Sequence, residues 1–248
     1  MMKLRYFSDL HLEFIKPQNM ARFLKQIPIG LDEICILAGD IGNPYNTNYY
    51  KFINFININF KKSFIITGNH EYYNKKQMND TDIYLEKYFE KYGNISFLNN
   101  KFEIYNGYCF IGTTLWSKIT NPEHEINDVY NIQNFDYKKY NIKHEECVEF
   151  LTKTVELNNN CVVISHHVPS FSLTDDKYKI PSLMPYQQWF NCDMDDFIEK
   201  NQDKLKCWIY GHTHVPSNKI INDIPFLCNP IGYIDENETT DFTKSITL

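Results

Sequence analysis

The sequence predicts a layered α/β fold, and three observations carry that prediction. Five short apolar runs, at 4–11, 33–40, 63–71, 161–167 and 207–214, are rich in β-forming residues and punctuated by Gly or Ser. Between them lie segments with helical spacing, at 46–60, 80–92, 143–157 and 193–201. Two further stretches, 94–116 and 219–234, read as hairpin-like strand groups. Strands alternating with helices, with hairpins added, make an α/β layered architecture.

Each element has its own justification. The runs "LRYFSDLH", "EICILAGD", "SFIITGNHE", "CVVISHH" and "CWIYGHTH" are too short for buried helices and end in small or polar clusters. In "KHEECVEFLTKTVEL", Cys147, Phe150, Leu151 and Val155 share one stripe with charges opposite, as an amphipathic helix requires. The stretch "SFSLTDDKYKIPSLMPYQQWF" (170–190) has little regular pattern and mixes Pro with aromatics. A loop that long is expected to be a lid or substrate wall. Tyr178, Tyr186 and Trp189 are its candidates for stacking on a ring, with core packing as the alternative.

Composition sets outer bounds. With 248 residues, 43% of them hydrophobic and 16% aromatic, the chain suits one domain over 1–248 with a sizeable core. A formal net charge of -6, with no long basic block, argues against a broad basic face for duplex nucleic acid. The seven cysteines form no CxxC pair. Cys35, Cys161 and Cys207 lie in or beside apolar runs, which reads as buried reduced thiols. No apolar stretch is long enough to span a membrane, and "MMKLRYFSDLHLEF" lacks the apolar core of a signal peptide. The expectation is a soluble, cytoplasmic protein.

The five apolar runs share one feature: each delivers Asp, His or Asn at its C-terminal end. In order these are Asp9 and His11, Asp40, Asn69 with His70 and Glu71, His166 with His167, and His212 with His214. Open α/β sheets bind ligands beyond the carboxyl ends of their strands, so these groups could converge. Imidazole and carboxylate together suit Mn, Fe, Zn, Co or Ni rather than Mg or Ca. In extended backbone residues two apart point the same way, so Asp9 and His11 could reach one ion, as could His212 and His214. Gly39, Gly68 and Gly211 would let the chain turn sharply beside the ligands. The donor inventory exceeds one four-coordinate ion, and two ions sharing a carboxylate is the economical reading. Such a pair, roughly 3.5–4 Å apart, can clamp a phosphoryl group for in-line displacement.

At this point the sequence resembles the calcineurin-like metallophosphoesterase superfamily. Its blocks D-x-H, G-D, G-N-H-[D/E], H and G-H-x-H stand complete and in order between Asp9 and His214. "SDLHLEF", "GNHEYY" and "HHVPS" look closest to a branch of small bacterial and viral-type phosphoesterases. The resemblance implies a four-layer αββα sandwich carrying two divalent or transition metal ions, manganese first, with Fe, Zn, Ni or Co as alternatives. It implies that Asp9, His11, Asp40 and His214 hold one ion, and that Asp40 bridges to a second held by Asn69, His166 and His212. It further implies a metal-bridging hydroxide as nucleophile. His70 would stabilise the phosphate or protonate the leaving oxygen.

Other residues carry weaker expectations. His166 is preferred over His167 as ligand, leaving His167 to orient a neighbour or contact substrate. Glu71 is expected to tether the loop or a ligand histidine. Asp128 is expected either to contact substrate or to serve a turn or helix cap. His124 and His144 read as solvated.

The blocks "GDIGNPY" and "TGNHEYY" lack the arginines of the Ser/Thr protein phosphatase branch, which disfavours a phosphoprotein substrate. Asp9 stands where lariat-debranching enzymes typically carry cysteine. The expected partner is therefore a phosphomonoester or phosphodiester, including nucleotides or short nucleic acid. The rival readings are a nuclease on RNA or single-stranded DNA, and a metal-stabilised binding module without turnover.

Overall fold

The computed structural model describes residues 1–233, 236 and 241–248. One sheet contains β1 (Lys3–Phe7), β2 (Gly30–Ala38), β3 (Phe60–Ile66), β4 (Ile95–Phe97) and β11 (Ser245–Thr247), in the order β11-β1-β2-β3-β4. Strands β1 to β4 run parallel, and β11 pairs antiparallel with β1. The other contains β5 (Lys101–Tyr105), β6 (Tyr108–Thr113), β7 (Cys161–Ser165), β8 (Leu205–Tyr210), β9 (Ser217–Ile221) and β10 (Ile224–Cys228), in the order β5-β6-β7-β8-β10-β9. Its four central strands are parallel, and β5 and β9 close the edges as antiparallel hairpin arms. Both hairpins turn on two left-handed residues, Asn106-Gly107 and Asn222-Asp223, whose twist matches that of the flanking strands.

Strand periodicity then builds the layers. Leu4 and Tyr6 of β1, Ile34 and Ile36 of β2, and Phe64 and Ile66 of β3 face Phe110, Val162, Ile164 and Ile209 of the second sheet. Phe64 stacks on Phe110 at 4.1 Å between ring centroids. The alternate residues Phe7, Cys35, Leu37 and Ile65 turn outward against α1 (Met20–Leu24), α2 (Thr47–Asn59) and α3 (Met78–Phe89). Cys109, Ile111, Val163 and Trp208 pack against α4 (Asn127–Asn131), α5 (Tyr137–Leu157) and α6 (Asp195–Lys200). The result is helix, sheet, sheet, helix: the four-layer αββα sandwich. All seven cysteines are free and buried in these cores.

Some boundaries differ from the sequence reading. Helix α5 begins at Tyr137, ahead of the expected 143, because the Asp136 carboxylate caps it by accepting from the Lys139 amide at 2.9 Å. The expected strand group 94–116 is split. β4 joins the first sheet beside β3, and only β5 and β6 form a hairpin, in the second. β11 was not anticipated, being three residues whose pairing with β1 is entirely non-local. Ile234, at the end of the second strand group, lies outside the described residues. No helix among the described residues is long and apolar enough to cross a membrane.

Candidate metal centre

The strands stop short of the polar residues they deliver. β1 ends at Phe7, β2 at Ala38, β3 at Ile66, β7 at Ser165 and β8 at Tyr210, and the chemistry-bearing side chains follow in the next few residues. Parallel pairing puts these ends at one edge of each sheet. Stacking of the sheets then brings Asp9, His11, Asp40 and Asn69 from one against His166, His212 and His214 from the other.

Local backbone differs here from the extended geometry expected. Asp9, His11, Asp40, His212 and His214 all sit at left-handed φ, between 46° and 75°. Non-glycine residues populate that region at a cost, and such strain concentrates at functional sites. The side chains therefore converge through tight left-handed turns rather than strand alternation, and His212 and His214 point to different clusters. Close approach, more than torsion, explains Gly68. A Cβ there would lie 2.2 Å from Asp40 Oδ1 and 2.7 Å from the Asp40 amide nitrogen.

Two donor clusters result. Asp9, His11 and His214 place one donor atom each within 4.8 Å of one another, and Asp40, His166 and His212 do the same. His11 Nε2 and His214 Nε2 are 2.9 Å apart, and His214 Nε2 is 3.5 Å from Asp9 Oδ1. Asp40 Oδ2 lies between the clusters, 3.3 Å from His166 Nε2 and 3.9 Å from His11 Nε2. Asn69 Oδ1 is 3.1 Å from His166 Nε2. His166 Nδ1 donates to the Ala38 carbonyl at 2.9 Å, which fixes the tautomer that turns Nε2 inward. His212 Nε2 is buried with no hydrogen-bond partner, a costly arrangement for a ring nitrogen unless a cation takes its lone pair. The donor set and this orphaned nitrogen fit two N/O-liganded divalent ions.

Electrostatics follow the same grouping. Burial opposes charge on Asp40, yet His166, His70 and His11 hold its carboxyl well below the usual range. Burial likewise opposes charge on His166, but Asp40 and Asp9 hold the ring up at about 10. His212 is pushed well down by burial and by His167 and His166. For His70, burial is outweighed by Asp40 and Glu13, which raise it to about 9.

The surrounding groups include some that sequence reasoning missed. Glu13 Oε1 accepts from His70 Nδ1 at 3.0 Å and lies 3.5 Å from His11 Nδ1. Glu13 stands two residues after His11 on the 3-10 turn Leu12–Phe14, and only its nearness in sequence to Asp9 and His11 could have pointed to it. Glu236 Oε2 meets His214 Nδ1 at 2.6 Å, and the Tyr233 hydroxyl lies 3.3 Å from His70 Nε2. Glu71 accepts backbone N–H groups from Gly68, Asp40, Ile41 and Gly42 at 2.6–3.2 Å, tying the loops that carry Asp40 and Asn69 together. Asp128 is fully buried and accepts from Asn69 Nδ2 at 2.7 Å and from the Tyr73 hydroxyl. It thereby turns the Asn69 carbonyl oxygen toward His166, beyond any cap or turn role.

His167 does not line the adjoining cavity. Its Nδ1 meets the Thr114 carbonyl at 3.2 Å and its Nε2 the Tyr140 hydroxyl at 2.8 Å, and burial and His166 push it down to about 3. His144 is not solvated as expected: half-buried, it donates from Nδ1 to the Trp116 carbonyl at 2.7 Å. His124 is also half-buried, its ring 5.4 Å from that of Tyr186. Tyr178 and Tyr186 line the cavity beside the clusters, whereas Trp189 is fully buried in the core beside Tyr140.

This architecture and this cluster define a class. The chain belongs to the calcineurin-like phosphoesterase family, whose model matches residues 2–216. An uncharacterized protein of Acanthamoeba polyphaga mimivirus is 31% identical over 263 aligned positions, covering 94% of this chain and 92% of that relative. The structure of a phosphopantetheinyl hydrolase from Mycobacterium tuberculosis superposes with a TM-score of 0.74 at 18% identity, covering 93% and 89% of the two chains. A putative 5'-nucleotidase from Staphylococcus aureus gives a TM-score of 0.52 at 15% identity over 93% of this chain and 48% of that one. At such identities the two structures speak to the fold alone.

Proposed function

We propose that the chain is a dinuclear metal-dependent phosphoesterase. The observation that carries this reading is the pair of donor clusters meeting at Asp40, beside a cavity of about 550 Å³. Asp9, His11 and His214 would hold one ion and Asn69, His166 and His212 the other, with Asp40 shared. Ions in these positions would supply Lewis acidity toward phosphoryl oxygens and acidify water. Hydrolysis adds water across a P–O bond: the water oxygen bonds to phosphorus, the ester oxygen departs, and the proton lost by water is balanced by one gained by the leaving oxygen.

This chain's residues account for orientation and proton handling. Glu13 accepts from His70 Nδ1, so His70 Nε2 faces the cavity, where an imidazolium would pair with a phosphate oxygen or give its proton to the leaving group. A metal-stabilised scaffold without turnover has no use for this cavity-facing pair. Manganese is the first expectation for the ions.

The test is elemental analysis of the purified protein together with turnover of bis(p-nitrophenyl) phosphate and p-nitrophenyl phosphate in manganese. Two ions per chain and hydrolysis that Asp40→Asn abolishes are expected. Absence of bound metal together with no turnover in any divalent cation would sink the reading.

A further inference from the structure

The cavity beside the clusters has walls of unequal character. Tyr178, Tyr186 and Phe190 present aromatic surface to it, and Ile126 and Leu183 add aliphatic surface. Most of these come from the 3-10 turns Asp176–Tyr178 and Met184–Trp189 and the residue that follows the latter. Phe190 also lies against the His212 ring, with centroids 4.7 Å apart, so the apolar wall begins beside the donor cluster. The Tyr178 hydroxyl donates to the Thr213 carbonyl at 3.0 Å, which anchors the turn to the loop carrying His212 and His214.

Charge is distributed just as unevenly. No lysine or arginine lines the cavity among the described residues, and the undescribed positions between 234 and 240 contain none in sequence. Apart from the metal donors and His70, the titratable groups lining the cavity include the acids Asp128 and Glu236, which contact Asn69 and His214. A polyanion would therefore find partners for one phosphate at the clusters and mainly carboxylates and rings for the next, with Lys177 Nζ 4.8 Å from the Tyr178 ring centroid as a cation beside that wall. Single-stranded nucleic acid binding needs stacking rings together with a cationic groove, and the described lining residues supply the rings without a lysine or arginine among them.

Resting on the phosphoesterase reading above, we propose that the substrate is an ester with a single phosphate whose organic arm is uncharged and at least partly apolar or aromatic. The wall of Tyr178, Tyr186, Phe190, Ile126 and Leu183 takes that arm. Nucleoside polyphosphates and oligonucleotides are disfavoured, because Asp128 and Glu236 line the cavity and no lysine or arginine does among the described residues.

Two esters of equal charge and leaving group test this: benzyl p-nitrophenyl phosphate and methyl p-nitrophenyl phosphate, with the manganese-loaded full chain. The benzyl ester is expected to show a KM lower by about tenfold, the scale of one good aromatic contact. That ratio should fall toward one in Tyr186→Ala or Phe190→Ala. Calorimetric titration with benzylphosphonate and methylphosphonate separates the pocket from the chemistry. If neither ester turns over but benzylphosphonate binds about tenfold tighter, through Tyr186 or Phe190, the pocket assignment stands and the hydrolytic reading falls. Equal affinities overturn the pocket assignment whatever turnover shows, as does a preference that survives in both variants. Tripolyphosphate or an oligothymidylate binding more tightly than benzylphosphonate overturns it as well.

Discussion

Replacing Gly68 by alanine sets two opposed effects against each other at the centre of the site. Gly68 is not in the left-handed region, so an alanine meets no torsional barrier. By restricting the unfolded chain it should stabilise by about 0.4–1 kcal/mol. Against this, the new methyl would lie 2.2 Å from Asp40 Oδ1 and 2.7 Å from both the Asp40 nitrogen and His166 Cδ2. Both neighbours are fixed: Asp40 Oδ1 accepts from the His70 amide at 2.8 Å, and His166 is tied to Ala38. Overpacking of this kind costs about 1–3 kcal/mol, so the overlap wins and net destabilisation of roughly 1–2 kcal/mol is expected. With a urea slope of about 1–3 kcal/mol/M, the unfolding midpoint should drop by roughly 0.5–1 M. Displacing Asp40 by even about 1 Å should lower turnover roughly 100-fold. Gly93 is the control, since a Cβ there meets nothing within 4 Å, and Gly93→Ala should leave or raise the midpoint. If Gly68→Ala matches Gly93→Ala in midpoint and keeps wild-type turnover, steric confinement of Asp40 is not what this glycine provides.

Four further outcomes follow from the same geometry. Glu13→Gln should lower kcat by about 10–100-fold with little change in KM, because His70 loses the carboxylate that orients it; steady-state kinetics on a chromogenic diester reads this. Asp128→Ala strips a buried acceptor from Asn69, Tyr73 and Tyr140, and should cost about 2–4 kcal/mol in urea unfolding. The same variant should weaken metal binding by about 10–100-fold in a calorimetric titration. Burial holds the His144 ring below its ordinary value of 6.5, so its neutral form is favoured by folding. Its contribution is therefore present above about pH 6.5 and lost as pH falls below it, and wild type should lose more stability than His144→Gln between pH 7 and pH 5.5.

Much of this organisation was legible in the sequence for a physical reason. Strands that end in glycine or a small residue and then a ligand-forming side chain leave the same mark five times, and parallel pairing gathers such ends. The helices at 46–60, 80–92 and 193–201 were found to within a few residues, because their apolar stripes face a sheet. What escaped depended on distance along the chain. β11 and Glu236 come from the tail, where no local pattern announces a partner at β1 or His214. β4 shows no mark of which sheet it joins, since three strand residues fit either. Asp128 was expected to contact substrate or to serve a turn or cap, and its hold on Asn69 was not legible because that bond spans 59 positions. Trp189 and Phe190 are adjacent on an irregular turn, and no periodicity says which faces the cavity.

The donor groups also constrain the order of folding. His11 and His214 are separated by 203 positions, and each cluster draws from both sheets, so neither exists until the two sheets have docked. Contacts of such long range are costly to close and form late. Ions bound at these clusters could not then template the early steps, and any stabilisation they give should appear almost wholly in the unfolding rate. In stopped-flow experiments manganese should slow the unfolding arm of the chevron and leave the refolding arm nearly unchanged. The centre would act as a latch that keeps a finished sandwich shut, setting its lifetime rather than its rate of assembly.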